Sequence, residues 1–193
     1  VPTELPLTNP KRDLFAELYV AGLFADAGWG VYFPKRDEGF DFIAVKNVSS
    51  TFIVRPVQVK GKYPQKSKKD KIAYGYAGEL TALHEDMVLA IPFFVHTKEA
   101  APKMTAFMPR IQIRAHTTIP NWYTSSPCSF KNDEPHARRD FQKFFDAAGM
   151  ELMENSNFPQ ETIGASDGGF EPAQRSFKSV KSAIGGNRRL EMT

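Results

Sequence analysis

Residues 39–61 read GFDFIAVKNVSSTFIVRPVQVKG. Two strand-forming runs, Phe40–Val45 and Thr51–Lys60, flank the short polar stretch Lys46–Ser50, so the spacing predicts two adjacent, antiparallel strands. Asp41 interrupts the apolar pattern on the face that continues with Ile43 and Val45. In the second run Gln58 and Lys60 are two residues apart. The period of two in a strand sends both side chains to one face and those of Val57 and Val59 to the other. Pro56 has no N–H for a ladder, which predicts a bulge or a local edge at that point.

Upstream, Asn9 as an N-cap and Pro10 at the first helical position open a helix that runs from Arg12 to about Ala27 and stops at Gly28. Leu14, Leu18, Val20, Ala21, Phe24 and Ala25 are expected to share one apolar arc, with Lys11, Arg12 and Asp26 opposite. Glu17 falls inside the apolar arc, where a carboxylate is costly unless something binds it. The helix must pack on a sheet face. Glu17, Asp41, Gln58 and Lys60 are therefore expected at a single helix–sheet junction.

The rest of the chain extends this core. Trp29–Phe33 reads as a short strand ended by Pro34, and Gly61–Lys71 as a lysine-rich loop. Ile72–Asp86 reads as a helix weakened by Gly75 and Gly78, Met87–Val95 as a buried strand and Met104–Ala115 as another. Residues 116–132 read as loop. Asp133–Gly149 reads as an amphipathic helix with Phe141, Phe144 and Phe145 as its stripe. The expected fold class is α/β, a mixed β-sheet flanked by helices in the order α-β-β-β-α-β. Residues 1–154 form the domain, with its core at about 10–95. Residues 155–193, rich in Gly, Ser and Asn, read as a C-terminal arm.

Composition narrows the function classes. The chain has 193 residues, 41% hydrophobic and 24% charged, which is ordinary globular usage and excludes a wholly disordered chain. No apolar run approaches the roughly 20 residues of a membrane span. One cysteine, Cys128, excludes an intramolecular disulfide framework and a Cys-based zinc site, and an unpaired thiol fits the reducing cytoplasm. The start of the chain has no basic-then-apolar signal segment. His84, His96, His116 and His136 lack metal-ligand spacing, and neither a glycine-rich phosphate loop nor a serine nucleophile elbow occurs. The net charge of +3 hides an asymmetry. Residues 55–71 hold seven basic residues and one acid, so that segment is +6 and the rest of the chain sums to −3. A basic stretch beginning at Lys60 suits a phosphate backbone.

Phosphodiester hydrolysis calls for such residues. Oxygen ligands hold a hard divalent cation, Mg²⁺ or Mn²⁺, which polarises the phosphate and lowers the pKa of a bound water. A lysine steadies the developing charge. Glu17 in a helix, Asp41 in Gly39-Phe40-Asp41-Phe42, and Gln58-Val59-Lys60 in the next strand follow one another in an order that resembles the PD-(D/E)XK nuclease superfamily, closest in flavour to its Holliday-junction-resolvase-like and intron-associated branches. The resemblance covers about residues 10–95. It implies a restriction-endonuclease-like fold and a metal-dependent DNA endonuclease. Asp41, Gln58 and the Val59 carbonyl would ligate the metal, Glu17 would bind it directly or through water, and Lys60 would be the catalytic lysine. Lys62, Lys66, Lys68, Lys69 and Lys71 would hold the DNA backbone, and Tyr63 would stack on a base. Many relatives act as dimers, so a homodimer is compatible with the resemblance. Two positions depart from the pattern: Phe40 replaces the usual proline and Gln58 the usual acid. Gln58 and Pro56 favour the alternative, a catalytically degenerate module on the same fold that binds nucleic acid or a protein.

Overall fold

The computed structural model describes residues 10–36, 38–66, 72–74, 77–80, 84–96, 100–115, 117–118, 122–124 and 126–155. In chain order the elements are helix α1 (Pro10–Asp26), strands β1 (Gly30–Tyr32), β2 (Phe42–Val48), β3 (Thr51–Val59), β4 (Gln65–Lys66), β5 (Ile72–Ala73), β6 (Ala77–Glu79), β7 (Val88–Phe93), β8 (Met104–Pro109), β9 (Arg114–Ala115), β10 (Trp122–Thr124), β11 (Cys128–Lys131) and β12 (Glu134–Ala137), and helix α2 (Asp146–Met153). Short 3-10 turns occupy Arg110–Gln112 and Arg139–Phe144.

The quoted stretch forms the expected hairpin. β2 pairs antiparallel with β3 from Phe42 opposite Val57 to Val48 opposite Thr51. The two turn residues, Ser49 and Ser50, both have positive φ (49° and 68°), the backbone a two-residue hairpin turn requires. A five-stranded mixed sheet grows around it in the order β1-β2-β3-β7-β8, with β3 and β7 its one parallel pair. That parallel ladder begins at Val57 opposite Val88. Pro56 lies just before it, at the expected local edge, so no ladder donor is missing there.

α1 closes in a Schellman arrangement. Trp29 N–H donates to the Phe24 carbonyl (3.0 Å) and Gly28 N–H to the Ala25 carbonyl (3.0 Å), with Gly28 at φ +81°. The buried face of α1 is Ala16, Val20, Ala21 and Phe24, which pack with Phe42, Ala44, Val57, Val59, Val88 and Ala90. Leu14 and Leu18 are exposed (54% and 53%), so the buried arc is rotated away from the one the sequence suggested. Glu17 remains within the rotated arc and is half-buried. Met153 of α2 joins the same core, so both helices cover one face of the sheet. On the opposite face Leu89, Ile91, Phe93 and Met108 pack with Tyr74, Leu80, Ile113, Tyr123, Cys128 and Phe144.

That second face is covered by short β-ribbons where helices were expected. Ile72–Asp86 was read as a helix. Its described residues instead hold β5, β6 and a turn, so the α-β-β-β-α-β order lacks its second helix among the described residues. Gly78 lies within β6, and β6 pairs with β10 inside the region read as loop. Asp133–Gly149 is likewise not one helix. β11 and β12 form a hairpin whose turn residues Asn132 and Asp133 have φ of 51° and 60°. Pro135 lies in β12, followed by the 3-10 turn and then α2. The Asn9 cap and residues 156–193 of the expected arm lie outside the described residues. Among the described residues no helix is long and apolar enough to cross a membrane.

Candidate metal and phosphate site

The end of β3 is built by hydrogen bonds on both of its edges. Toward β2, the ladder starts only at Phe42 opposite Val57. Asp41 N–H donates to the Val57 carbonyl (2.8 Å), and Val59 N–H donates to Asp41 Oδ2 (2.6 Å). A carboxylate thus takes the place of a neighbouring strand. Toward β7, Lys60 N–H donates to the Ala90 carbonyl (2.9 Å) and Lys62 N–H to the Pro92 carbonyl (2.9 Å). Pro92 has no N–H to give to the Lys60 carbonyl, so the ladder skips a bond there. An extended residue points its N–H and C=O to the same edge. The Val59 carbonyl therefore points toward the Asp41 edge.

Side chains alternate along this stretch. Val57 and Val59 face α1. Gly61 lies beneath the same helix: a Cβ on it would come within 3.0 Å of Ala16 Cβ. Tyr63 stacks on Phe94 (4.5 Å between centroids, 9° between planes). Gln58 is opposite Leu89, and Lys62 Nζ lies 5.9 Å from the Tyr123 ring centroid, both on the face away from α1. By the same alternation Lys60 belongs with Gln58 and Lys62. This corrects the expectation of one helix–sheet junction: Glu17 comes from the α1 side, whereas Gln58 and Lys60 belong to the other. Glu17, Asp41 and Lys60 nevertheless approach one another near the end of β3, where β2 begins late.

Electrostatics report that approach. The Glu17 carboxyl is raised above the ordinary carboxylate range, first by burial, then by the negative charges of Asp41 and Asp13, with Lys60 pulling it down. Glu17 thus senses both Asp41 and Lys60. Gln58 is 7% exposed, and its Oε1 is buried without a hydrogen-bond partner among the described residues. Such an atom is costly unless something takes it.

The donors here are all oxygen: two carboxylates, one amide and one main-chain carbonyl. Hard divalent cations prefer that chemistry, and the buried Gln58 Oε1, without a hydrogen-bond partner among the described residues, is chemically suited to one. Among the described residues no three His, Cys, Asp or Glu side chains group as metal ligands, so any cation would rest on the amide and carbonyl as well as the acids.

The basic stretch divides on inspection. Arg55 is buried and acts as a clamp. Its Nε donates to the Met153 carbonyl (3.2 Å) and its Nη2 to the Asn155 carbonyl (2.8 Å), with Asp86 3.4 Å from Nη1. It does not belong to a phosphate-facing surface. Tyr63 has Phe94 against its ring and the Arg12 guanidinium 5.3 Å from its centroid, so it is packed and not a free platform for a base. Lys62 is half-buried and belongs to the site face. Lys66 is in β4 with its side chain outside the described residues, as are Lys68, Lys69 and Lys71 altogether. Cys128 is buried, and burial pushes its thiol up to about 11, which removes it as a nucleophile.

Sequence reading missed three contributors. Asp13 lies one helical turn before Glu17 and adds charge to it. Gly61 lets α1 come close to β3. Tyr123 supports Lys62, but its strand is only three residues long and lies in a Pro- and Ser-rich stretch that reads as loop. Comparison with known protein families finds no family model that matches the chain, and comparison with curated proteins finds no match.

Proposed function

We propose that this protein is a metal-dependent DNA endonuclease of the PD-(D/E)XK type on a restriction-endonuclease-like fold, located in the cytoplasm. The observation that carries the reading is the hydrogen bonding at the end of β3: Asp41 N–H donates to the Val57 carbonyl (2.8 Å) and Val59 N–H donates to Asp41 Oδ2 (2.6 Å), which seats the Asp41 carboxylate against the Gln58-Val59-Lys60 segment. The parallel β3–β7 pair inside a mixed sheet and a first helix bearing an acid agree with it. A bound Mg²⁺ or Mn²⁺ supplies Lewis-acid polarisation of the phosphate and a water of lowered pKa. Asp41 and Glu17 contribute the negative charge that holds such a cation, and Gln58 Oε1 and the Val59 carbonyl contribute neutral oxygens. Lys60 stabilises negative charge developing on the phosphate oxygens and orients the attacking water.

A second reading is favoured by one feature. Gln58 brings no charge, so the cation would rest on two carboxylates, which suits a nuclease-like module that binds nucleic acid or a protein without cutting. One assay separates the two readings. The endonuclease cleaves plasmid or duplex DNA with Mg²⁺ or Mn²⁺ and loses that activity in Lys60→Ala and in Asp41→Ala. Cleavage that persists in both variants overturns the residue assignment. Salt-sensitive DNA binding with no metal-dependent cleavage replaces the enzyme with the module.

A further inference from the structure

Lys62 is an unusual lysine for a loop that follows a strand. It is half-buried, its ammonium lies 5.9 Å from the Tyr123 ring centroid, and among the described residues no carboxylate pairs with it. Its main chain is fixed on both sides: its N–H donates to the Pro92 carbonyl, and its carbonyl accepts from Phe94 N–H. It shares a face with Lys60, two residues earlier. Tyr123, which supports it, is 1% exposed and carries a hydroxyl with no hydrogen-bond partner among the described residues. Two lysines two residues apart, with the Tyr123 hydroxyl as a further donor, concentrate positive charge and donors on this face. An anion with several oxygens would neutralise it.

We propose that Lys62, seated on Tyr123, is a positioning residue that binds a second phosphate of the nucleic-acid strand, the neighbour of the phosphate held at Lys60. The inference rests on the endonuclease reading for the role of Lys60. Residues two apart in a strand are separated by roughly 6.6 Å, an interval comparable to one nucleotide step along a phosphate backbone. A cation–π seat lets the ammonium stay partly dehydrated and aimed. Burial, followed by the charge of Lys60, lowers the Lys62 ammonium to about 8. The groups acting on it are Lys60 from its own segment and the Tyr123 ring from β10. In the free protein Lys62 is therefore protonated below that value and neutral above it. Its hold on a phosphate weakens as pH rises through about 8.

The test is equilibrium binding of a duplex oligonucleotide to the full chain in Ca²⁺, across a KCl series, at pH 7 and pH 9. Lys62→Met keeps the aliphatic stem on Tyr123 and removes the charge. It is expected to reduce the slope of log K against log salt by about 1, the share of one phosphate contact. Wild type loses affinity from pH 7 to pH 9, whereas Lys62→Arg keeps the slope and flattens that loss. In cleavage assays Lys62→Met raises KM more than it lowers kcat. An unchanged salt slope in folded Lys62→Met, or an unchanged pH response in Lys62→Arg, overturns the proposal. If Lys62→Met does not fold, the comparison of wild type with Lys62→Arg decides alone. Wild type that binds DNA but never cleaves it fails the endonuclease reading while the salt slope still reads Lys62. Wild type that binds no DNA overturns both.

Discussion

Glu17 carries two opposed demands. Burial and the charges of Asp41 and Asp13 raise its pKa, and Lys60 opposes them only in part. A raised carboxyl means that the folded state holds the proton more tightly than the unfolded chain does. The cost of ionisation is absent well below the ordinary carboxylate range, appears as pH rises through it, and is complete above the raised folded value. At pH 7 the ionised side chain therefore destabilises the metal-free protein. Glu17→Gln is predicted to raise its melting temperature at pH 7 and to leave it nearly unchanged at pH 3. The same change is predicted to weaken metal-dependent cleavage roughly 10-fold to 100-fold, the range for groups that hold a metal directly or through water. A melting temperature that falls at pH 7 would mean that Glu17 has a stabilising partner and is not held for a ligand. The anomaly of Glu17 was legible from helical spacing alone, because an acid between Phe24 and Ala21 stands out on any helical projection. Its neighbour Asp13 was not: one turn earlier and exposed, it reads as ordinary first-turn charge.

At the scale of elements, hairpin spacing was the most readable signal and helix stripes the least. β2 and β3 follow from alternation and a short polar turn, and Pro56 marked its own edge. The Phe141, Phe144 and Phe145 stripe misled because spacings of three and four suit a 3-10 turn nearly as well as an α-helix. The decisive residues lay outside the stripe. Asn132 and Asp133 tolerate positive φ and make a hairpin turn, and Pro135 takes a strand position. α2 is accordingly short, and its seating depends on Gly149. A Cβ there would sit 2.2 Å from the Phe144 carbonyl oxygen and 3.0 Å from the Phe107 ring. The Phe144 carbonyl is main chain and cannot swing aside. Gly149→Ala is predicted to destabilise by about 3 kcal/mol or more, read as a lower midpoint in urea with unchanged slope. Because α2 packs away from the end of β3, cleavage per folded molecule is predicted to stay near wild type. A midpoint within error of wild type would show that the 3-10 turn relaxes freely.

Over the whole molecule, one sheet face carries both helices and the other carries the short ribbons, and the site sits where the two faces meet. The sequence pattern named Glu17, Asp41, Gln58 and Lys60 but put them on one side of the sheet. What it could not reveal is that β2 starts late, so that the Asp41 carboxylate, not a β2 residue, takes the Val59 N–H. That geometry leads to a prediction about the entire fold. The charges of Glu17 and Asp41 repel each other, so a cation bound at the end of β3 would relieve that repulsion. Binding to the native state alone raises stability by RT ln(1 + [L]/Kd), about 2.7 kcal/mol at a concentration 100-fold above Kd. Titration with Mg²⁺, Mn²⁺ or Ca²⁺ is therefore predicted to raise the melting temperature progressively. Asp41→Asn should abolish most of that rise. Gln58→Ala should shift it to higher metal concentration, since it removes a neutral ligand and no charge. Lys60→Ala should preserve it or lower the metal concentration required, because it removes a competing positive charge. A wild-type melting curve indifferent to all three ions would leave the two acids and the buried amide without a metal to explain them. An equal rise in Asp41→Asn would move the binding site elsewhere on the protein.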